Sequence, residues 1–284
     1  MNYRNQWSRI PGEFNTFQAS FDKPLRKFNS GVGFTFFNDR AGVNALKSTQ
    51  FTLMYAYELK INKRLVARAG LNAGFTQRGM DYSSLLFGDQ VARNAATSVE
   101  TINLDKLLYF NTSAGYLMYG EEWWAGISFN NLNRPNQSLT GDLSRLPIES
   151  KLHAGYKYKI DDESDKSKDQ HFVSAAFNYK KSARFNQIDV GAYYARSFLV
   201  FGVWYRGIPV IHKPASWYKN NDAVVFVLGV SGDKVQFGYS YDYTIGKLTL
   251  GSSAGTHELS MTYLMCGKKK SKKKKLIVVS CPKF

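Results

Sequence analysis

Long apolar runs are missing from this sequence, although 44% of its 284 residues are hydrophobic. No run approaches the roughly 18 consecutive apolar residues of a membrane-spanning helix, which excludes helical insertion into a bilayer. Proline is scarce, with 7 residues, as expected of extended sheet that tolerates few breaks. The two cysteines, Cys266 and Cys281, have no histidine nearby, so no metal or cofactor site is predicted. A disulfide between them is the alternative that an oxidising compartment leaves open.

The chain does contain strict alternation of apolar and polar side chains. The stretch VQFGYSYDYT at 235–244 places valine, phenylalanine and three tyrosines on one parity, and small or polar residues on the other. Successive side chains of a strand leave opposite faces, so the pattern predicts a strand between two environments. RLVARAGLNAGF at 64–75 and KLHAGYKYKI at 151–160 alternate in the same way. Ten further stretches do so too: 14–21, 32–37, 51–59, 110–118, 123–130, 173–180, 188–194, 199–206, 224–230 and 257–263.

These thirteen candidates define the fold class. Most are close to the roughly 9–11 residues with which a tilted strand crosses a bilayer. The 18 tyrosines and 20 phenylalanines suit the aromatic girdles that membrane barrels place at both interfaces. We therefore predict an all-β fold, a transmembrane antiparallel β-barrel of about 14 strands. A soluble all-β protein is the alternative that composition alone leaves open.

The connections between the strands alternate in length. Short turns such as YGEE and SGDK alternate with longer connections, among them 38–48 and the longest, between Gln77 and Lys106. Outer-membrane barrels have short periplasmic turns and long external loops, so the alternation assigns the two sides. An even strand number requires one more ascending strand, which we expect, with an export signal, to precede residue 1. The barrel is predicted over 1–265 and a basic periplasmic tail over 266–284.

The positive charge has two sources. The net charge is +16, and the seven lysines of KKKSKKKK at 268–275 leave 16 − 7 = +9 for the rest. Nucleic-acid binding is not predicted, because no recognition-helix pattern or zinc spacing accompanies the charge. In the periplasm the lysine run would meet anionic outer-membrane lipids or periplasmic partner proteins. The β-prone end LIVVSCPKF would suit addition to a partner's sheet edge.

The lumen and the external loops supply the candidate partner-binding residues. The residues that alternation places on the inner face predict a positive lumen, in which Asp242 and Glu258 are the counter-charges. The predicted lumen cations are Arg64, Arg68, Lys151, Lys157, Lys159 and Arg206. External loops carry binding on a rigid barrel, and the apolar stretch around Phe87 is unsuited to a solvated loop. The candidates are Arg68, His153 and Lys157 in the lumen, Arg134 and Asn136 in NLNRPNQSL, and Leu85, Leu86 and Phe87 in the longest loop.

No catalytic motif is evident, and the chain is predicted not to be an enzyme. No serine lies in a G-x-S-x-G nucleophile motif. None of the four histidines, His153, His171, His212 and His257, has a nucleophile motif around it. A membrane-embedded hydrolase would need a Ser–His pair in hydrogen-bonding contact, which spacing cannot reveal.

Several stretches together resemble the PorP/SprF family of Bacteroidetes outer-membrane proteins. They are RNQWSRIPGEFNTFQASFDKPL, GVGFTFFNDRAG, AGISFNNLNRPNQSL, SYDYTIGKL, GTHELSM and the terminal CPKF, in this order from Arg4 to Phe284. The start departs from the family, which would have an exported segment and an Asn-Pro-rich opening.

The resemblance implies a function in the type IX secretion system. Such proteins assist the secretion or surface anchoring of large adhesins, often in gliding motility. The implied partners are the C-terminal region of a secreted surface protein and periplasmic secretion components. The alternative function is a general porin with an anion-favouring lumen.

Overall fold

The computed structural model describes residues 1–43, 46–80, 88–96, 98–99, 106–160, 171–207, 221–246 and 250–265, without the side chains of Glu13, Leu250 and Ser252. The strands in this part of the chain are β1 (Asn2–Gln6), β2 (Glu13–Leu25), β3 (Ser30–Gly42), β4 (Leu46–Lys60), β5 (Val66–Gly79), β6 (Leu107–Tyr119), β7 (Trp123–Asn130), β8 (Glu149–Lys159), β9 (His171–Ser182), β10 (Phe185–Arg196), β11 (Leu199–Gly207), β12 (Asn221–Ser231), β13 (Val235–Thr244) and β14 (Thr256–Tyr263).

These fourteen strands of the described residues form one closed antiparallel barrel, in which sequence neighbours pair and β1 pairs with β14. The prediction of an all-β antiparallel barrel is confirmed. Within the described ranges, helix is confined to α1 (Gly88–Arg93), α2 (Leu250–Ser253) and a 3₁₀ turn at Arg26–Phe28. Among the described residues, no helix is long and apolar enough to span a membrane.

The first strand corrects an expectation from the sequence. We expected the fourteenth strand to precede residue 1, and this is wrong, because β1 completes the barrel. It pairs with residues 256–260 of β14 and residues 15–18 of β2. Its five residues carry only one large apolar side chain, Tyr3, so alternation could not reveal it.

The barrel has two different ends. Connections at the long-loop end are 7–12, 43–45, 80–106, 131–148, 183–184, 208–220 and 245–255; those at the short-turn end are 26–29, 61–65, 120–122, 160–170, 197–198 and 232–234. The predicted long connection at 38–48 is wrong, because β3 and β4 extend into it and leave only 43–45 between them. The tail 266–284, with both cysteines, lies outside the described residues, so the proposed domain division stays a prediction.

The outer wall is apolar and the inner wall is mostly polar. On β4 the outward residues Phe51, Leu53, Tyr55, Tyr57 and Leu59 are all exposed. The rings of Phe21 and Phe34 lie 5.8 Å apart, and those of Phe34 and Phe51 lie 5.9 Å apart, so an aromatic row crosses three strands. A continuous apolar surface of this kind suits contact with lipid rather than water.

Toward the short-turn end, a small apolar cluster narrows the lumen. Tyr119, Trp124 and Val66 are buried and pack together. A Cβ atom on Gly155 of β8 would lie 2.1 Å from the Trp124 ring, so only glycine leaves room for the indole. This cluster is the main apolar packing among the described lumen residues.

A charge on the outer wall should destabilise the barrel in lipid. Leu71 is outward and 65% exposed, whereas the neighbouring Asn72 faces the lumen. We expect Leu71→Lys to cost about 2–4 kcal/mol of stability in lipid vesicles, because a lysine near mid-bilayer must be desolvated. Urea unfolding followed by gel shift measures this. Asn72→Lys is the control and should change stability by well under half as much; equal losses would contradict the assignment of faces.

Candidate functional site in the barrel lumen

A buried carboxylate links three strands across the seam of the barrel. Asp242 on β13, 2% exposed, accepts hydrogen bonds from Arg4 Nη2 on β1 at 3.0 Å and Arg206 Nη1 on β11 at 2.8 Å. Arg4 also binds Glu258 on β14, at 3.1 Å. The structure thus places the predicted counter-charges Asp242 and Glu258 against lumen arginines. These contacts tie the closing strand to the opposite edge of the sheet.

Two other predicted lumen cations have acidic partners as well. Arg68 on β5 binds Glu58 on β4 at 2.5 Å. Lys151 on β8 and Lys180 on β9 both bind Glu149, at 2.7 and 3.0 Å. The sequence analysis missed Glu58 and Glu149, which lie near strand ends where the alternation weakens. The positive charge of the lumen is therefore largely balanced at these positions.

The three lumen candidates contact different partners. The guanidinium of Arg68 lies 5.3 Å from the ring centre of Tyr119, in the apolar cluster. Lys157 Nζ lies 3.6 Å from the ring centre of Phe172. The imidazole of His153 covers Gly126, where a Cβ atom would lie 2.1 Å from Nε2. Arg64, which we predicted to face the lumen, instead lies exposed in the turn 61–65.

A polar cavity of about 300 Å³ lies in the lumen wall beside the start of loop 131–148. Phe37, Met54 and the Glu149–Lys151 pair form the smaller part of its lining. The larger part consists of amide and hydroxyl side chains, which are those of Gln18, Thr35, Gln50, Thr52, Asn72, Asn111, Ser113, Asn130 and Asn131. Most of them lie in the alternating stretches of the sequence, but alternation did not predict that strands β2–β8 would bring them together.

Loop 131–148 is held to the barrel by asparagine side chains. β7 stops at Asn130, so the first half of β6 lacks a strand partner on that side. Asn133 takes this place: its Oδ1 accepts from the Thr112 N–H at 3.1 Å, and its Nδ2 donates to the Phe110 carbonyl at 2.7 Å. The sequence analysis selected neighbours of Asn133 and missed it, because the need for it arises from the short strand.

The two candidates in this loop have different surroundings. Asn136 organises the loop, because its Oδ1 accepts from the Ser144 N–H at 2.8 Å and its Nδ2 donates to the Asp142 carbonyl at 3.0 Å. Arg134 has a left-handed backbone, with φ 45°, and an exposed side chain. Of the two, Arg134 is the one whose side chain is available to a partner.

The longest loop is described in part. Leu85, Leu86 and Phe87 lie outside the described residues, and their role stays a prediction. In α1, Asp89 accepts from Ser98 Oγ at 2.7 Å and the Val99 N–H at 2.8 Å. The Ser98 and Val99 hydrogen bonds and nearby Arg93 lower the Asp89 pKa to about 2, because they favour the charged carboxylate. Asp89 therefore stays ionised and can hold this part of the loop at neutral pH.

Two of the histidines contact tyrosine hydroxyls, and the described residues show no metal-binding group. They contain no group of three or more histidine, cysteine or acidic side chains that could hold a metal ion. His171 and His257 have hydrogen bonds to the hydroxyls of Tyr194, at 3.3 Å, and Tyr239, at 2.8 Å. His212 lies outside the described part of the chain. The hydrolase alternative gains no support from these contacts.

A closed barrel with an apolar outer wall and a polar, ion-paired lumen is typical of β-barrel membrane proteins. The family model described as type IX secretion system membrane protein PorP/SprF matches residues 1–263, and the chain belongs to this family. The resemblance noted from the sequence is thereby confirmed.

No curated protein matches the sequence. Among solved structures, BamA from Haemophilus ducreyi lacking POTRA domains 1–3 is similar, with 8% identity and a TM-score of 0.46, over 93% of this chain and 70% of that chain. The TM-score and the sequence identity are too low for this similarity to support a statement about function.

Removal of the Asp242 charge should loosen the barrel seam. In Asp242→Asn two arginines lose a buried partner, and we expect a loss of about 3–5 kcal/mol in unfolding free energy. Glu258→Gln is the matched control, because Glu258 also binds Arg4 but its side chain is 26% exposed, against 3% for Asp242. We expect about 1 kcal/mol or less there. Urea unfolding of both variants tests this, and losses of similar size would argue against a special role for Asp242.

Asn133 should control the order of its loop. Asn133→Ala removes the hydrogen bonds to Thr112 and Phe110, each worth about 0.5–1.5 kcal/mol, and adds no leucine at which chymotrypsin could cleave. We expect chymotrypsin to cleave within 131–148 severalfold faster than in the unmodified protein. Arg134→Ala serves as the control and should leave the cleavage rate unchanged. Equal cleavage of all three proteins would show that Asn133 does not anchor the loop.

Proposed function

We propose that this chain is an outer-membrane accessory barrel of the type IX secretion system that binds a secreted surface protein and retains it at the cell surface. The observation that carries the proposal is the family match over residues 1–263. On the basis of the same family match, the cargo would be an adhesin of the kind used in gliding motility. The barrel would bind the C-terminal region of this adhesin. In this role the barrel binds and positions polypeptide and performs no reaction.

The two ends of the barrel support an orientation. Outer-membrane barrels place long loops outside and short turns in the periplasm. The long-loop end, with loops 80–106 and 131–148, would then meet the cargo. The short-turn end, where the chain continues into the basic tail 266–284, would meet lipid head groups and periplasmic secretion components.

The lumen favours this proposal over a porin that selects anions. Such a porin needs unpaired cations along the wall. Instead Arg4, Arg68, Arg206, Lys151 and Lys180 each lie within 3.1 Å of a carboxylate oxygen. Recognition would then depend on exposed loop residues such as Arg134 and on polar side chains of the lumen.

Capture of the cargo from native membranes tests the proposal. The tagged full-length protein is isolated in mild detergent, and bound proteins are identified by mass spectrometry. We expect a large secreted protein, and we expect Arg134→Glu to lower its yield about tenfold, as charge reversal at a central contact does. Arg64→Glu, at an exposed arginine of the short-turn end, is the control and should retain the cargo. An empty barrel that conducts ions in planar bilayers would overturn the proposal in favour of a porin.

A further inference from the structure

Uncharged hydrogen-bonding groups form most of the lining of the lumen cavity, and several of them lie in register across neighbouring strands. Met54, Asn72 and Ser113 are in register across β4, β5 and β6. A second row lies next to the first, on the side of the long-loop end. It consists of four residues in register across β3 to β6, namely Thr35, Thr52, Gly74 and Asn111. Neighbours in such a row are about 5 Å apart, and inward residues along one strand about 7 Å apart. The cavity therefore presents amides and hydroxyls at the spacing of a β-sheet.

One acceptor in this array has no partner. Asn111 Nδ2 donates to Asn131 Oδ1 at 2.8 Å, but the buried Oδ1 of Asn111 has no hydrogen bond in the described structure. A buried unsatisfied amide oxygen is costly, so rotation of the Asn111 side chain toward a ligand that brings an N–H or O–H donor would be favourable. Gly74 lies beside Asn111 in the row and has no side chain, so the wall is bare there. Only glycine fits at this position, because a Cβ atom would lie 2.3 Å from the Phe51 carbonyl oxygen.

The charges and the size restrict the ligand. The acidic side chain of the cavity, Glu149, already binds Lys151 and Lys180, so neither an anionic nor a cationic ligand finds a free counter-charge in the lining. A volume of about 300 Å³ is at the lower limit of ligand cavities and admits a short segment rather than a folded domain. Among the described residues, Phe37 supplies the only aromatic ring of the lining, which makes the cavity less suitable for a glycan that stacks on rings.

An extended polypeptide matches this array. Along each edge of an extended chain, the main-chain N–H and C=O groups repeat about every 7 Å. The inward side chains of Gln50, Thr52 and Met54 along β4 have the same spacing. Asparagine and glutamine amides each carry a donor and an acceptor and can pair with a peptide N–H and C=O. We propose that this cavity binds a short, uncharged, extended segment of polypeptide through its main chain. This inference rests on the proposed function and assigns the cargo segment a place inside the barrel.

Peptide binding by the purified full-length protein in detergent micelles tests the inference. The probes are fluorescein-labelled decapeptides: one of Gly, Ser, Thr and Asn, one with four of these residues replaced by Asp, and one with four replaced by Lys. Unlabelled maltohexaose serves as a competing glycan. We expect the neutral peptide to bind most tightly, and Asn111→Leu or Asn72→Leu to weaken it at least about fivefold. Asn178→Leu, at a lumen asparagine outside the cavity, should bind like the unmodified protein.

Several results would overturn the inference. They are tighter binding of a charged peptide, displacement of the neutral peptide by maltohexaose, or equal weakening by Asn178→Leu. Heat-induced gel shift shows whether each variant is folded, and a variant that fails is replaced by the smaller change Asn72→Ala. If the unmodified protein captures its cargo from membranes but the cavity variants capture as much, the cavity inference fails and the proposed function stands. If the unmodified protein captures none, the proposed function itself fails.

Discussion

The pairing of β1 with β14 is the contact on which the rest of this structure depends. A strand protein in a bilayer must close on itself, because the hydrocarbon region offers no partner for a free edge. Only five residues make this closure, and they connect strands at opposite ends of the chain. Arg4 on this strand also binds Asp242 and Glu258, so the ion pairs of the lumen and the closure of the sheet stabilise each other. A buried carboxylate between two arginines makes the seam specific, since another register would separate the charges.

Closure also divides the lumen into two regions of different chemistry. Toward the short-turn end, Tyr119 and Trp124 fill the space with apolar packing, and Gly155 leaves room for the indole of Trp124. Beside loop 131–148, amides and hydroxyls leave a cavity. The ion pairs of Glu58, Glu149 and Asp242 neutralise cations that a pore for anions would have to keep free. The interior is therefore better suited to hydrogen-bonded recognition than to electrostatic selection.

Loop 131–148 shows how side chains can hold a long connection of a barrel in place. β7 is shorter than β6, and the side chain of Asn133 replaces the missing strand by pairing with two residues of β6. Asn136 then fixes the fold of the loop from within. These side chains hold Arg134 at the surface on a rigid support. If the proposed function holds, anchoring of this kind would reduce the entropy that binding costs.

Alternation along the sequence by itself determined the class of fold, the outward and inward faces, and an all-β membrane protein, because a strand between lipid and a polar lumen must repeat every two residues. The order of stretches such as SYDYTIGKL also indicated the family. The sequence did not reveal β1, the short connection at 43–45, the acids that pair with Arg68 and Lys151, or the role of Asn133. Each of these depends on where the strands begin and end and on which of their residues lie side by side in the folded sheet, and alternation alone does not encode either.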